Sequence, residues 1–395
     1  MERGVIMQTQ SVQAERRSVL LNPQQLCKAA GAFCKAQPVL VIAFFAALLT
    51  VFIVPPDAQY AGYCNRTVLI QLFGLMTAVS GVRSIGVFDA VTETLLRRTG
   101  TVRRLGTVLM LICFFTSMLV TNDVVLLTFV PLTLMLREQL GDEKSRILTI
   151  VLETAAANLG SMLTPVGNPQ NLFLYDYYKL DAGTFLRIML PAGAVSLLML
   201  LLLCRLLPAA ACAAPDAKEK TQIHKPRAAA YFVLFALCLC CVFRLIPDLL
   251  LLPAAILTAL IFDRSLLKKV DYALLATFVC FFVFVGNIAR IDAVSQTISG
   301  LLTGHEVLLS ALLSQCISNV PASVMLAGFT DAGKELLLGV NIGGLGTMIA
   351  SLASLISFQF YRKSEGAQTG RYFAVFTAVN FGMLIPLLLL AQIIM

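Results

Sequence analysis

The chain has 395 residues, 58% hydrophobic and 13% charged, with net charge +8 and mean hydropathy +0.84. Soluble domains carry about 25% charged residues, so the composition excludes a large soluble domain and describes a polytopic, all-helical membrane protein. The basic residues sit in short loops between apolar runs. This reads as orientation by the positive-inside rule and excludes nucleic acid as a partner, because no Lys/Arg cluster is interleaved with aromatics.

Residues 1–37 carry Arg3, Arg16, Arg17, Lys28 and Lys35 and read as a cytoplasmic N-terminal segment, with an interfacial helix over 23–36. The first apolar span is Pro38–Val54. Tyr60 and Tyr63 follow in a loop and suit an aromatic interface belt. A second span, 67–82, runs into an amphipathic helix over 84–98 and a basic turn with Arg97, Arg98, Arg103 and Arg104. Residues 105–136 are interrupted near their middle by Thr121-Asn122-Asp123. Each arm of about 16 residues is roughly 24 Å as helix, short of the ~30 Å hydrocarbon core. Both ends are basic, so the segment reads as a re-entrant hairpin entered from the cytoplasm. Two short full spans, with Asn122 and Asp123 in an outer loop, are the alternative.

The apolar run 147–174 exceeds one crossing of about 20 residues and reads as a helix broken at Thr164-Pro165-Val166-Gly167-Asn168-Pro169. Residues 184–207 return inside. Residues 208–248 form a basic cytoplasmic loop, with Lys218, Lys220, Lys225 and Arg227, and a linker helix. Spans 249–262 and 272–289 follow, then an amphipathic helix over 291–304. A second hairpin, 306–330, has Ser318-Asn319 at its tip and enters from outside. A second broken helix, 335–360, and a last span, 372–394, complete the chain.

This order gives about nine crossings and two inverted-topology repeats, 38–207 and 249–395, each with a re-entrant hairpin and a broken helix. The odd linker helix inverts the second copy, leaving the N-terminus inside and the C-terminus outside the cytoplasmic membrane. Local matches agree: Asn158-Leu-Gly-x-x-x-Thr164 aligns without gaps on Asn341-Ile-Gly-x-x-x-Thr347, and Ser117, Thr121 and Asn122 align on Ser314, Ser318 and Asn319.

Irregular backbone at membrane depth survives only inside protein or around a polar cavity. Paired helix breaks in corresponding places mark a transporter's binding site. Two polar clusters are expected. The first holds Thr121, Asn122, Asp123, Asn158, Thr164, Gly167, Asn168 and Asn171, and the second Ser318, Asn319, Asn341, Gly343, Thr347 and Ser351. Substrate contacts are assigned to Thr121, Asn122, Thr164, Ser318, Asn319 and Thr347. Na⁺ or proton coupling is assigned to Asp123, Asn158, Gly167, Asn168, Asn171, Asn341, Gly343 and Ser351. Carbonyls freed at the breaks suit a hard cation, and half-helix N-termini suit an anion. Asp123 is either a cation or proton ligand or a cap that organises the hairpin tip; its partner in the second repeat is Val320. Glu153 reads equally as a snorkelling or ion-paired residue and as a coupling group. Arg83 and Arg290 read as interfacial anchors.

Enzyme readings fail. Gly328-Phe-Thr-Asp-Ala-Gly-Lys-Glu335 lacks the hydroxyl that a phosphate-binding loop places on Mg²⁺, and no HExxH or GxSxG is present. Most of the eleven cysteines lie in apolar runs, where cysteine acts as a small hydrophobe. The two histidines fall in loops, so no zinc site and no other cofactor is expected. A channel is the remaining alternative to a carrier.

At Thr121–Pro131, Asn158–Asn171, Ile317–Pro321 and Asn341–Thr347 the chain resembles the ion transporter superfamily. That group includes citrate and divalent-anion symporters, arsenite permeases and a branch of Na⁺/H⁺ antiporters. The resemblance covers roughly 38–395 and implies a scaffold that dimerises, hence a homodimer, and an elevator-like moving domain. It also implies substrate carboxylates bound at Ser-Asn-Thr hairpin tips. Here the tips read Thr121-Asn122-Asp123 and Ser318-Asn319-Val320, so the third position departs twice. The first tip is similar to the arsenite-permease and antiporter branches, and the Asn-Pro-Gln-Asn run to small citrate-transporter-like permeases. The expected function is ion-coupled transport of a small anion, a di- or tricarboxylate such as citrate, with arsenite or antimonite efflux or Na⁺/H⁺ exchange as alternatives.

Overall fold

A computed structural model describes residues 31–34, 37–87, 99–212 and 225–395. Most of the expected helices over 23–36 and 84–98, and residues 213–224 of the basic loop, lie outside these. Among the described residues the secondary structure is helical, apart from one bridge between Thr101 and Ala211.

Helix α1 is Pro38–Ile53 and α2 is Arg66–Ser84. The first interrupted segment forms α3 (Val102–Thr116) and α4 (Asn122–Met135). The first broken helix forms α5 (Glu143–Ser161) and α6 (Pro169–Tyr177), and α7 (Ala182–Leu203) follows. The linker helix is α8 (Lys225–Val242). In the second half come α9 (Leu251–Phe262), α10 (Tyr272–Ala289) and α11 (Asp292–Leu302). The second tip lies between α12 (Glu306–Ile317) and α13 (Asn319–Ala327). The second break separates α14 (Gly333–Ile342) from α15 (Leu352–Lys363), and α16 (Thr369–Ile394) ends the chain.

Short polar residues set the starts of several helices by accepting a backbone N–H of the first turn. Asn65 does so for α2, Thr101 for α3, Asp142 for α5, Asp181 for α7 and Asp271 for α10. Among the described residues, five helices are long and apolar enough to cross a membrane: α2, α7 with its 3₁₀ extension to Leu206, α8, α10 and α16. Helices α1 and α9 are apolar but shorter, and α11 meets α12 at a bend of 110°. Outward-facing side chains on these helices are apolar: Phe52 on α1 is 77% exposed and Val233 on α8 is 69% exposed. Such faces suit lipid.

The helices pack in two groups. α1 lies along α10, and α2 along α8 and α9. In the other group α5 packs on α3, α4 and α16, and α14 packs on α12 and α13. The two halves cross over here: α4 packs against α15, and α13 against α6. The anchors expected at Arg83 and Arg290 make specific contacts. Arg290 pairs with Asp57 at 2.7 Å and donates to Tyr63 Oη at 3.0 Å. Its guanidinium holds the Asp57 carboxyl below the usual carboxylate range. Arg83 Nη2 donates to the Leu127 carbonyl of α4 at 3.1 Å.

Two glycines allow the broken helices to approach the hairpin arms. A Cβ on Gly160 would overlap the Phe114 carbonyl, and one on Gly343 would stand 2.7 Å from Ala311 Cα and 3.0 Å from Ser314 Cβ. Continued without gaps, the sequence matches between the two halves pair Gly160 with Gly343, Phe114 with Ala311 and Ser117 with Ser314. Gly160→Ala is therefore expected to destabilise the purified protein by about 1–3 kcal/mol, the usual cost of overpacking. Gly62→Ala, which meets nothing within 4 Å, serves as the neutral control in the same thermal-unfolding assay.

Candidate functional site: a polar node joining two broken helices

Each break follows from local chemistry. Residues Met162–Asn168 separate α5 from α6. There Pro169 starts α6, where its missing N–H costs nothing, and Asn168 Oδ1 accepts the Asn171 N–H at 3.0 Å. The second break runs from Gly343 to Ser351. Gly346 has φ +102° and lies against Gln315 Oε1, a position that tolerates no side chain.

Each hairpin tip is bonded to the break of its own half. The Asn122 N–H donates to Gly167 O at 3.3 Å, and the Asn319 N–H to Ala350 O at 3.0 Å. The Thr164 hydroxyl donates to Met118 O, and the Thr347 hydroxyl to Gln315 O at 2.9 Å. Continued without gaps, the two repeat alignments pair Gly167 with Ala350 and Met118 with Gln315, so each bond recurs at its counterpart.

The breaks also bond to each other. Asn158 Oδ1 accepts from Ser351 Oγ at 2.9 Å, and Asn158 Nδ2 donates to Ser354 Oγ at 3.3 Å. Reciprocally, Asn341 Nδ2 donates to Asn171 Oδ1 at 2.6 Å, and Asn168 Nδ2 donates to Asn341 Oδ1 at 3.3 Å. The alignment pairs Asn158 with Asn341, Asn168 with Ser351 and Asn171 with Ser354. The two expected clusters, one per half, are therefore a single interleaved node. Lone polar side chains from each half find their partners in the other.

The node is asymmetric. Asn122 Nδ2 donates to Asn158 Oδ1 at 2.9 Å, with no counterpart between Asn319 and Asn341 among the described residues. Ser318 has φ +75° and ψ 152°, a conformation that costs a non-glycine residue about 1–3 kcal/mol, whereas Thr121 is in relaxed extended backbone. Asp123 is half-buried in the first turn of α4 and donates its N–H to Asn122 Oδ1. Among the described residues its carboxylate makes no side-chain hydrogen bond.

Protein amides hold several of the carbonyls released at the breaks. Asn171 Nδ2 donates to the carbonyls of Ser161, Met162 and Thr164. Gln315 Nε2 donates to those of Gly343 and Leu345, while its Oε1 accepts the Thr347 N–H at 2.8 Å. Asn171 thus braces the first break. Gln315, unremarked in the sequence, does similar work in the second half. Its signal was a lone amide in the apolar arm, three residues before the tip. Glu153 neither snorkels nor pairs with a cation: it is fully buried and accepts from Thr133 Oγ1.

Four helix N-termini meet at this node: α4 at Asn122, α6 at Asn168, α13 at Asn319 and α15 at Ser351. A crevice of about 480 Å³ lined by Thr67, Gln71, Asp176, Lys179, Arg244 and Asp248 lies elsewhere and includes no node residue.

Apolar helices enclosing paired helix breaks that meet at a buried polar node are the architecture of a membrane transporter. The chain belongs to the CitMHS citrate transporter family, whose profile matches residues 32–334. It is 34% identical over 330 residues to an uncharacterized transporter of Methanocaldococcus jannaschii, covering 82% of this chain and 89% of that protein. It is 32% identical over 302 residues to the inner membrane protein YbiR of Escherichia coli, covering 74% and 78%. A 164-residue stretch, 40% of this chain and 33% of the other, is 32% identical to the silicon efflux transporter LSI3 of Oryza sativa. The fold is similar to that of the YdaH transporter of Alcanivorax borkumensis, with TM-score 0.55, 13% identity, and 90% and 98% of the two chains covered. The chain is a multi-pass membrane transporter and not an enzyme.

Asn171→Ala is expected to take the amide donor from the buried carbonyls of Ser161 and Met162 and one acceptor from the Asn341 amide, while Thr164 O keeps the Gly167 N–H and Asn341 Nδ2 keeps Leu337 O. A loss of about 3 kcal/mol in unfolding stability is predicted, since each unmet buried group costs roughly 1–3 kcal/mol. Thermal unfolding of the purified variant measures it.

Proposed function

We propose that this chain is an ion-coupled secondary transporter that carries a small anion, a di- or tricarboxylate such as citrate, by an elevator-like movement. The observation that carries the reading is the meeting of four helix N-termini, two from each half, at one node of Asn, Ser and Thr side chains. Half-helix N-termini carry a partial positive charge, which suits an anion. Thr121, Asn122, Thr164, Ser318, Asn319 and Thr347 are the proposed substrate contacts. Asp123, beside the first tip, is the proposed cation or proton ligand, with Asn158, Gly167, Asn168, Asn341, Gly343 and Ser351 holding the breaks around it. No cofactor is required beyond Na⁺ or H⁺ as coupling ion.

The recurrence of tip-to-break and break-to-break bonds at aligned positions supports two inverted repeats, 38–207 and 249–395, separated by the loop and linker helix 208–248. Counting α1, α9 and each broken helix with the five long helices gives nine crossings in the cytoplasmic membrane. The N-terminus then lies inside and the C-terminus outside. Hairpins α3–α4 and α12–α13 are re-entrant in this scheme. Helices α1, α2 and α8–α10 form the scaffold on which a homodimer would assemble. A second reading is efflux of a small oxyacid such as arsenite or antimonite. It is favoured by the partial match to a silicon efflux transporter and by the carboxylate at the first tip.

Proteoliposome uptake of labelled citrate, succinate and arsenite, with and without Na⁺ or proton gradients, separates these readings. Gradient-driven citrate or succinate uptake is expected; Na⁺-driven proton flux with no cargo uptake would overturn the anion reading. Asn122→Ala and Asn319→Ala are each expected to lower uptake at least tenfold, with unchanged elution from a sizing column. Wild-type uptake in either variant would remove that tip from the site. Asp123→Asn is expected to change the dependence of uptake on Na⁺ or pH. An unchanged dependence would remove Asp123 from coupling.

A further inference from the structure

Glu153 lies on α5, five residues before Asn158, and none of it is exposed. Thr133 of α4 donates to its Oε1 at 2.5 Å, and among the described residues its Oε2 has no hydrogen-bond partner from the protein. Tyr372 of α16 is equally buried, and its hydroxyl makes no hydrogen bond of good geometry. Its ring stacks on Tyr361 at 4.7 Å, and the residue lies near Glu153 and Thr154. Thr154 is bonded across the halves to Ser357 of α15 at 2.8 Å.

Charged neighbours do not account for a carboxyl here. The titratable groups facing Glu153 are Cys113 of α3 and Tyr372 of α16. From α4 comes the hydroxyl of Thr133. Among the described residues, no charged side chain of α3, α4, α7, α14, α15, α16 or the turn at Arg137–Leu140 interacts with it. The charges at the start of its own helix, Glu143 and Arg146, pair with each other at 2.5 Å, and Glu143 is also bonded to Tyr361. An ionised carboxylate with one hydrogen bond, no cation and no water contact would carry a desolvation cost of several kcal/mol. A hard cation is a poor substitute. The open oxygens are Glu153 Oε2 and Tyr372 Oη, whereas Mg²⁺ and Ca²⁺ take about six to eight oxygens.

We propose that Glu153 is a proton-carrying site separate from the polar node, loaded in this conformation between α4, α5 and α16. The coupling role rests on the transporter reading above; the protonation itself does not. On release the carboxyl O–H bond breaks, its electron pair stays on the carboxylate and the proton passes to water on the side to which the site opens. The reverse transfer reloads it.

Infrared spectroscopy of the membrane-embedded protein at neutral pH tests the site directly. A protonated-carboxyl C=O band is expected in the wild type, lost in Glu153→Gln, kept in the presence of Na⁺ and shifted in Thr133→Val, which removes the donor to Oε1. Absence of the band, survival of the band in Glu153→Gln, or its loss on adding Na⁺ would overturn the proposal. If Glu153→Gln does not fold, the Thr133→Val shift decides the assignment, and an unshifted band counts against it. In proteoliposomes Glu153→Gln is expected to lose at least tenfold of proton-gradient-driven uptake, and its residual cargo exchange to become independent of pH. A normal pH profile would reject the coupling role. Should the wild type move no cargo while the band behaves as expected, the transport reading fails and the proton site stands.

Discussion

A helix that breaks at membrane depth releases carbonyl and N–H groups that lipid cannot satisfy, and everything at the centre of this protein follows from where those groups go. Asn171 and Gln315 hold carbonyls at the two breaks, and the hairpin tips supply amides to Gly167 and Ala350. These bonds fix the tips against the breaks, and that fixing draws four helix N-termini to one place. Close approach then requires glycine at positions 160 and 343, where any side chain would meet the hairpin arm.

The same constraint makes the halves interdependent. Asn158 and Asn341 each sit near the end of one half's first helix piece and bond to the start of the other half's second piece. The carbonyls freed at each break are held within its own half, while the asparagine and serine side chains of the node pair across the halves. A ligand entering the node would have to replace or share these bonds, so its binding would be coupled to the relative position of both broken helices. The asymmetries are local. Asp123 stands where the second half has Val320, and backbone strain falls on Ser318 and not on Thr121. The first tip thus carries a carboxyl group, and the second a backbone conformation that only its surroundings maintain.

Much of this was legible in the sequence because polar and proline residues stand out in apolar surroundings. Thr121-Asn122-Asp123, Pro165 to Pro169 and Ser318-Asn319 located the tips and the first break, and the match of Asn158 to Asn341 located the second. Hydrophobic runs placed the spans to within a few residues. The partners of these residues were not legible. Whether Ser351 meets its own half or Asn158 depends on how α15 packs against α4, which no local pattern encodes. Gln315 looked like one amide in an arm, and its role appears only when the Gly343 and Leu345 carbonyls come within reach. Glu153 read as a residue near a helix end. Burial by α3, α4 and α16 makes it a different kind of group.

The central claim is that the two breaks are bonded to each other across the halves. A double-mutant cycle on unfolding stability with Asn158→Ala and Ser351→Ala tests it most directly, because the bond donated by Ser351 Oγ runs to Asn158 Oδ1. The account predicts non-additivity of about 1 kcal/mol, in the range of polar contacts between membrane helices. Strict additivity of the two substitutions would contradict it.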